Sequence, residues 1–160
     1  MLSLMVVASA ILLAGCSDKN EVGDVSLGLF TTKDIKLEKL DDPKIPGVTC
    51  YISHVEANLD FADPSDMSIA CRQTGPITYD MLKTIDLSKG GEVIFSTSKS
   101  ILFKALKVRR IFDEENRTLL YVSYSTKEVN GSHKHALSTV PLWGNPVWQE
   151  LSQQPLTSGK

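Results

Sequence analysis

Val48-Thr49-Cys50-Tyr51-Ile52-Ser53-His54-Val55 and Met67-Ser68-Ile69-Ala70-Cys71-Arg72-Gln73 are the two runs whose reading decides the fold. Each alternates at the strand period of two, so Val48, Cys50 and Ile52 share one face and Met67, Ile69 and Cys71 share another. Both thiols then have apolar neighbours, and they meet if the strands lie side by side. The segment between, Glu56 to Asp66, is polar and closes on Asp63-Pro64-Ser65-Asp66, a turn composition.

Working outward toward the C-terminus, Ile77 to Leu87 places Ile77, Met81, Leu82 and Ile85 at helical spacing. Thr78 or Asp80 supplies a cap and Lys89-Gly90-Gly91 a stop, which predicts one small helix. Strands are expected over Glu92–Ser98, Ser100–Phe112, Thr118–Thr126 and His135–Leu142, with a polar turn at Asp113–Arg117 and a hairpin signal at Asn130-Gly131. Toward the N-terminus, Val25–Phe30 and Ile35–Leu40 read as short strands. Asp41 to Gly47 must be a loop, because Pro43 and Pro46 cannot donate to a ladder. These elements predict a mainly β fold: an antiparallel sandwich or open barrel of six to eight short strands with one small helix, stapled by one disulfide.

The chain has 160 residues, 42% of them hydrophobic and 22% charged, which suits one domain with a real core. A net charge of −2 offers no polycationic footprint for nucleic acid. Lys104, Lys107, Arg109 and Arg110 are interleaved with Leu106, Val108 and Ile111, and read as the wet face of a strand.

Leu2 to Leu13 is an apolar run of about twelve residues, suited to a signal-peptide core and too short to span a bilayer. It ends in Leu13-Ala14-Gly15-Cys16, which looks like a bacterial lipobox with Cys16 as the acylated residue, although no Lys or Arg precedes it. The expected organisation is a lipoprotein signal at residues 1–15, a lipidated tether at 16–21, a β domain at 22–143 and a loose C-terminal tail at 144–160, on which Trp143 and Trp148 can still dock. Export implies an oxidising compartment. Setting Cys16 aside leaves Cys50 and Cys71 as an even pair, expected as a structural disulfide rather than a redox couple. Ser17 after the lipidated cysteine fits outer-membrane sorting, hence a lipid-anchored envelope protein facing the periplasm.

Catalytic signals are thin. No nucleophile elbow, H-E-x-x-H or phosphate loop occurs, and the chain has only three histidines, His54, His133 and His135. His133 and His135 at i, i+2 on a strand would point the same way and, with His54, suggest a metal clamp; solvated loop residues are the plainer reading. Asp60, Asp63 and Asp66 lack calcium-loop spacing. No catalytic residue, metal ligand or cofactor is therefore assigned. Asn116-Arg117-Thr118 and Asn130-Gly131-Ser132 are sequons that a bacterial envelope leaves unused.

Several stretches, in order, carry a family resemblance: Asp41-Asp42-Pro43; Val48-Thr49-Cys50-Tyr51-Ile52-Ser53; Ser68-Ile69-Ala70-Cys71-Arg72-Gln73 with Gly75-Pro76-Ile77; Gly91-Glu92-Val93-Ile94-Phe95; Phe103-Lys104; and Tyr124-Ser125 with Gly131-Ser132. From Val22 to Pro141 the chain resembles the CreA family of periplasmic proteins from Gram-negative bacteria, named for catabolite regulation. Both cysteines fall on the family's cysteine positions, so the resemblance also implies the disulfide. The lipobox and the histidines near residue 134 depart from the family pattern, and the family offers no catalytic residues to carry over. The expected function is a non-enzymatic envelope lipoprotein that binds a protein partner, in stress or catabolite-linked signalling. The alternative is a small-molecule or ion-binding β domain of the periplasm.

Overall fold

In the computed structural model the alternating runs pair as two antiparallel four-stranded sheets, each a simple meander. Residues 20–29, 31, 33–57, 67–96, 106–126, 128 and 131–157 are described, side chains of 56 and 57 excepted. The expected signal, Cys16, the strand start at 97–105, Asp60, Asp63, Asp66 and Asn130 lie outside them. The first sheet joins β1 (Glu21–Ser26), β2 (Lys33–Asp41), β3 (Val48–Ala57) and β4 (Met67–Gln73). The second joins β5 (Glu92–Ser96), β6 (Leu106–Asp113), β7 (Thr118–Ser125) and β8 (His135–Pro141).

The inner faces follow the pleat. On β3 and β4, Cys50 stands opposite Cys71, Ile52 opposite Ile69 and His54 opposite Met67. On β6 and β7 the inward column is Leu106 with Ser125, Val108 with Ser123, Arg110 with Tyr121, and Phe112 with Leu119. The two sheets meet along β4 and β8, where the Cys71 N–H donates to Ser138 Oγ at 2.8 Å. Met67 and Ser68 likewise face Lys134 and His135 across one cavity, so these strands run side by side in the same direction. No backbone ladder between them closes a barrel. The expected mainly β fold is present in this open form.

Two expectations about helices change, and the first strand lies earlier, at Glu21–Ser26 rather than Val25–Phe30. The predicted helix is a single turn, α1 (Tyr79–Leu82), capped as expected by the Thr78 side chain, which accepts from the Met81 N–H at 3.3 Å. It ends early because polar side chains turn on the local backbone. Thr84 Oγ1 donates to the Met81 carbonyl at 2.8 Å, and Asp86 Oδ1 accepts from the Ser88 N–H at 2.8 Å. Leu82 and Ile85 are still buried. The second change is at the C-terminus. The segment read as a loose tail carries a second helix, α2 (Val147–Gln153), whose Val147 and Leu151 are buried with Leu156 beyond it. Their i, i+4 spacing is a helical face too short to stand out in sequence.

Gly47 shows why one loop tolerates no side chain. A Cβ there would run into the backbone of Gly75 and Pro76, whose loop donates from Thr74 N–H and Gly75 N–H to the Gly47 carbonyl at 2.9 and 3.1 Å. Those bonds hold the β2–β3 and β4–α1 loops together beneath the first sheet's core.

Candidate functional site

Three features of the described surface and interior carry chemistry: a buried ion network, a cavity beside β4 and β8, and an open strand edge at β1. Around them sits the staple. Cys50 and Cys71 are bonded, with an S–S distance of 2.04 Å, between directly paired positions of β3 and β4. The apolar face read from the sequence delivers them there. Cys50 is buried, while Cys71 is partly covered.

The ion network joins the two sheets. Arg110 was expected on a wet face with Lys107 and Arg109, but the pleat of β6 turns it inward with Leu106, Val108 and Phe112, and only 1% of it is exposed. Its guanidinium donates to Asp42 Oδ1 and to Glu92 Oε1. Asp42, buried in the β2–β3 loop, also accepts from Lys44 N–H at 2.9 Å, Ile45 N–H at 3.0 Å and the Tyr121 hydroxyl at 2.8 Å. Lys44 Nζ in turn lies 2.8 Å from Glu92 Oε2. Two carboxylates thus face two cations and the network balances, as a buried charge requires. Burial pushes the Tyr121 phenol up, and the neighbouring Asp42 carboxylate adds to this against the opposing Arg110. Burial also pushes the Glu92 carboxyl up, yet the hydrogen bonds from Lys44 and the Asp86 N–H, with the Arg110 and Lys44 charges, hold it below the usual range. Such a network braces loop against sheet. Both carboxylates and the Tyr121 hydroxyl are engaged within it.

The cavity, of about 380 Å³, is lined by Ile35, Ser53, His54, Val55, Met67, Ser68, Lys134 and His135. It brings His54 and His135 to one place, but not as a metal clamp. His133 instead sets Nδ1 3.1 Å from the Ser125 carbonyl, and His135 Nδ1 lies 2.9 Å from the His133 carbonyl. Among the described residues no group of three His, Cys, Asp or Glu side chains is placed to hold a metal. His54 is buried on the inner face of β3, and that burial, with the Lys36 charge, pushes its imidazole pKa down against the pull of Glu21.

The β1 edge is the third feature. Among the described residues β1 pairs only with β2, and along it and just beyond it Val22, Val25, Leu27 and Leu29 are 53%, 49%, 48% and 98% exposed. Elsewhere Trp143 is 77% exposed, edge-on to Trp148 at 5.1 Å, with Arg117 stacked on the far ring at 4.4 Å. Sequence reading missed Asp42, Arg110 and Glu92. The signal that finds Arg110 is its place in the inward alternation of Leu106, Val108 and Phe112.

Fold and interior together define a disulfide-stapled β domain of two meanders braced by a buried arginine. The family model described as "CreA protein" matches residues 22–145. The chain is 36% identical over 149 residues to Protein CreA of Escherichia coli K12, covering 87% of this chain and 94% of that protein, and Protein CreA of Escherichia coli O157:H7 matches equally. The chain belongs to the CreA family. No solved structure matches it.

Proposed function

We propose that this protein is a non-enzymatic envelope lipoprotein, anchored through Cys16 and facing the periplasm from the outer membrane, that binds a protein partner by strand addition at β1. The observation that carries this reading is the β1 edge, left unpaired by the described residues and flanked by exposed Val22, Val25 and Leu27. An unpaired edge with apolar side chains is the ordinary template for an added strand. The anchor makes the edge useful. Four residues, Ser17 to Asn20, lie between Cys16 and β1, a reach of at most about 18 Å, so the edge would meet partners in or on the same membrane. Stress or catabolite-linked signalling is the setting we propose for that contact.

The test is a photo-crosslinking residue at Val25 in intact cells, compared with one at Val93 on the β5 edge. The expected result is an adduct specific to Val25, lost in a folded Val22→Lys/Val25→Lys variant that also fails to complement a deletion strain. Adducts of equal yield from both positions, with full complementation by the double-lysine variant, would overturn the reading. Anchoring is checked separately. Cys16→Ser should move the protein out of the membrane fraction, and unchanged fractionation would refute acylation. A His133→Gln variant should complement, since that ring rests on the Ser125 carbonyl and is assigned no chemistry; His54 is left intact because it is buried.

A further inference from the structure

We infer that the cavity beside β4 and β8 is a binding site for a small amphiphile with one anionic head, a carboxylate on a short alkyl chain. At about 380 Å³ it lies within the range of ligand pockets, and it would hold roughly a dozen waters at ~30 Å³ each. Its lining divides by chemistry. Ile35 and Val55 offer apolar surface for a tail on the sheet face they share with Ser53 and Ser68, and Met67 adds to it from the other face of β4. Ser53, Ser68, Lys134 and His135 stand at the polar side, and no carboxylate among the described residues lines the space.

Ser53, Ser68 and Lys134 supply the donors of the polar side, and His135, with its proton on Nδ1, presents Nε2 as an acceptor. Ser53 Oγ and Ser68 Oγ lie 2.7 Å apart, so one hydroxyl proton is committed between them and the second remains for a ligand. A carbonyl only accepts, so the 2.9 Å contact of His135 Nδ1 with the His133 carbonyl puts a proton on Nδ1 and turns Nε2 away from it. Lys134 adds three further donors and a full positive charge next to the hydroxyl pair, which is the charge complement of an anion. His54, whose imidazole pKa burial pushes down, lines the space without a carboxylate's repulsion.

The site abuts β1, since Ile35 on its apolar wall pairs with Val25, but Ser53, Ser68 and Lys134 have no partner in the β1 ladder, so variants at Ser68 and Lys134 test the site apart from the edge. The experiment uses the chain from residue 16 onward with Cys16→Ser, labelled with nitrogen-15 and titrated with decanoate, decanol and inorganic phosphate. Decanoate is expected to saturate shifts at Ser53, Met67, Ser68 and Lys134, binding at least tenfold more tightly than decanol. Ser68→Trp, on an exposed position, should weaken decanoate at least tenfold by filling the space. Lys134→Glu should weaken it at least threefold and leave decanol unchanged. Equal binding of decanol, decanoate shifts outside these residues, parent-like binding by both variants, or phosphate saturating the same shifts without decanoate doing so would each overturn the assignment.

Discussion

Replacing Arg110 with methionine keeps the volume of the side chain near its original value and removes the guanidinium from a site only 1% exposed. Asp42 then stays buried with the Lys44 and Ile45 N–H groups and the Tyr121 hydroxyl as its remaining donors, and Glu92 keeps Lys44. Breaking one partner of a buried ion pair costs about 3–5 kcal/mol because the other charge is left uncompensated. The donors that remain put the expected loss at the low end, about 3 kcal/mol. With a urea dependence of ~2 kcal/mol per molar for a domain of this size, the unfolding midpoint should fall by about 1.5 M. Lys44→Met, which removes a more solvated pair, should cost under about 1 kcal/mol. The measurement is urea unfolding of the Cys16→Ser chain, with Asp42→Asn alone and combined with Arg110→Met to close a double-mutant cycle. If Arg110→Met unfolds within about 0.5 M of the parent and the cycle shows no coupling, the network does not brace the two sheets.

Cys71→Ala opens a loop with a sequence separation of 21, and the chain-entropy relation gives a loss of about 3 kcal/mol, read by the same unfolding assay. Gly91 sits at φ 57° against the Arg110 carbonyl, so Gly91→Ala should lose at least ~2 kcal/mol from left-handed strain and collision, whereas a loss below ~1 kcal/mol would contradict the close approach. His54 has its pKa depressed in the fold, so the unfolded chain takes up a proton first. Stability from this group is whole above the unfolded value of about 6.5 and declines as pH falls below it. Unfolding measured from pH 7.5 to 5.5 should therefore flatten in a His54→Gln variant, and an unchanged slope would remove His54 as the cause.

The pairing of β3 with β4 and the staple were legible because alternation alone fixes which residues share a face. The two apolar faces could meet only if the runs paired, and they do, with Cys50 opposite Cys71 and Ile52 opposite Ile69. Alternation was less decisive where both faces are apolar. On β7, Leu119 and Tyr121 go inward while Leu120, Val122 and Tyr124 go outward half-buried, and Ser123 and Ser125 are carried inside with the first pair. Nothing local marks that choice, which is made by Val108 and Leu106 across the ladder. Arg110 was misplaced for a related reason. Adjacent Arg109 and Arg110 must face opposite ways, and one of two neighbouring cations on a strand goes inside only if a distant carboxylate receives it. Asp42 is 68 residues away, and sequence spacing does not show that pairing. The cavity depends on the approach of β4 to β8, a contact between sheets that no periodicity encodes.

The first sheet changes character along its inner face, and this bears on β1. Near the staple that face is Leu40, Cys50 and Cys71, then Ile52 and Ile69; beyond, the same face carries Glu38, Lys36 and His54. The apolar residues at that end lie on the other face, where Val25, Ile35 and Val55 form one cross-strand row beside Leu37. β1 is therefore held by its ladder and by Lys36, which pairs with Asp24 at 2.5 Å and Glu21 at 3.5 Å, contacts worth about 0–1 kcal/mol each at a surface. The register shift between Glu21 and Gly23 loosens the ladder further. A strand supported so weakly opens locally at a fraction of the global stability. Amide exchange should then be fast across Val22 to Ser26 and slow across Val48 to Ile52, with a difference in protection of at least tenfold. Binding of a strand partner should slow exchange at β1 alone. Protection at β1 equal to that around Cys50 in the isolated chain would mean that the edge is part of the rigid core, and strand addition there would lose its physical basis.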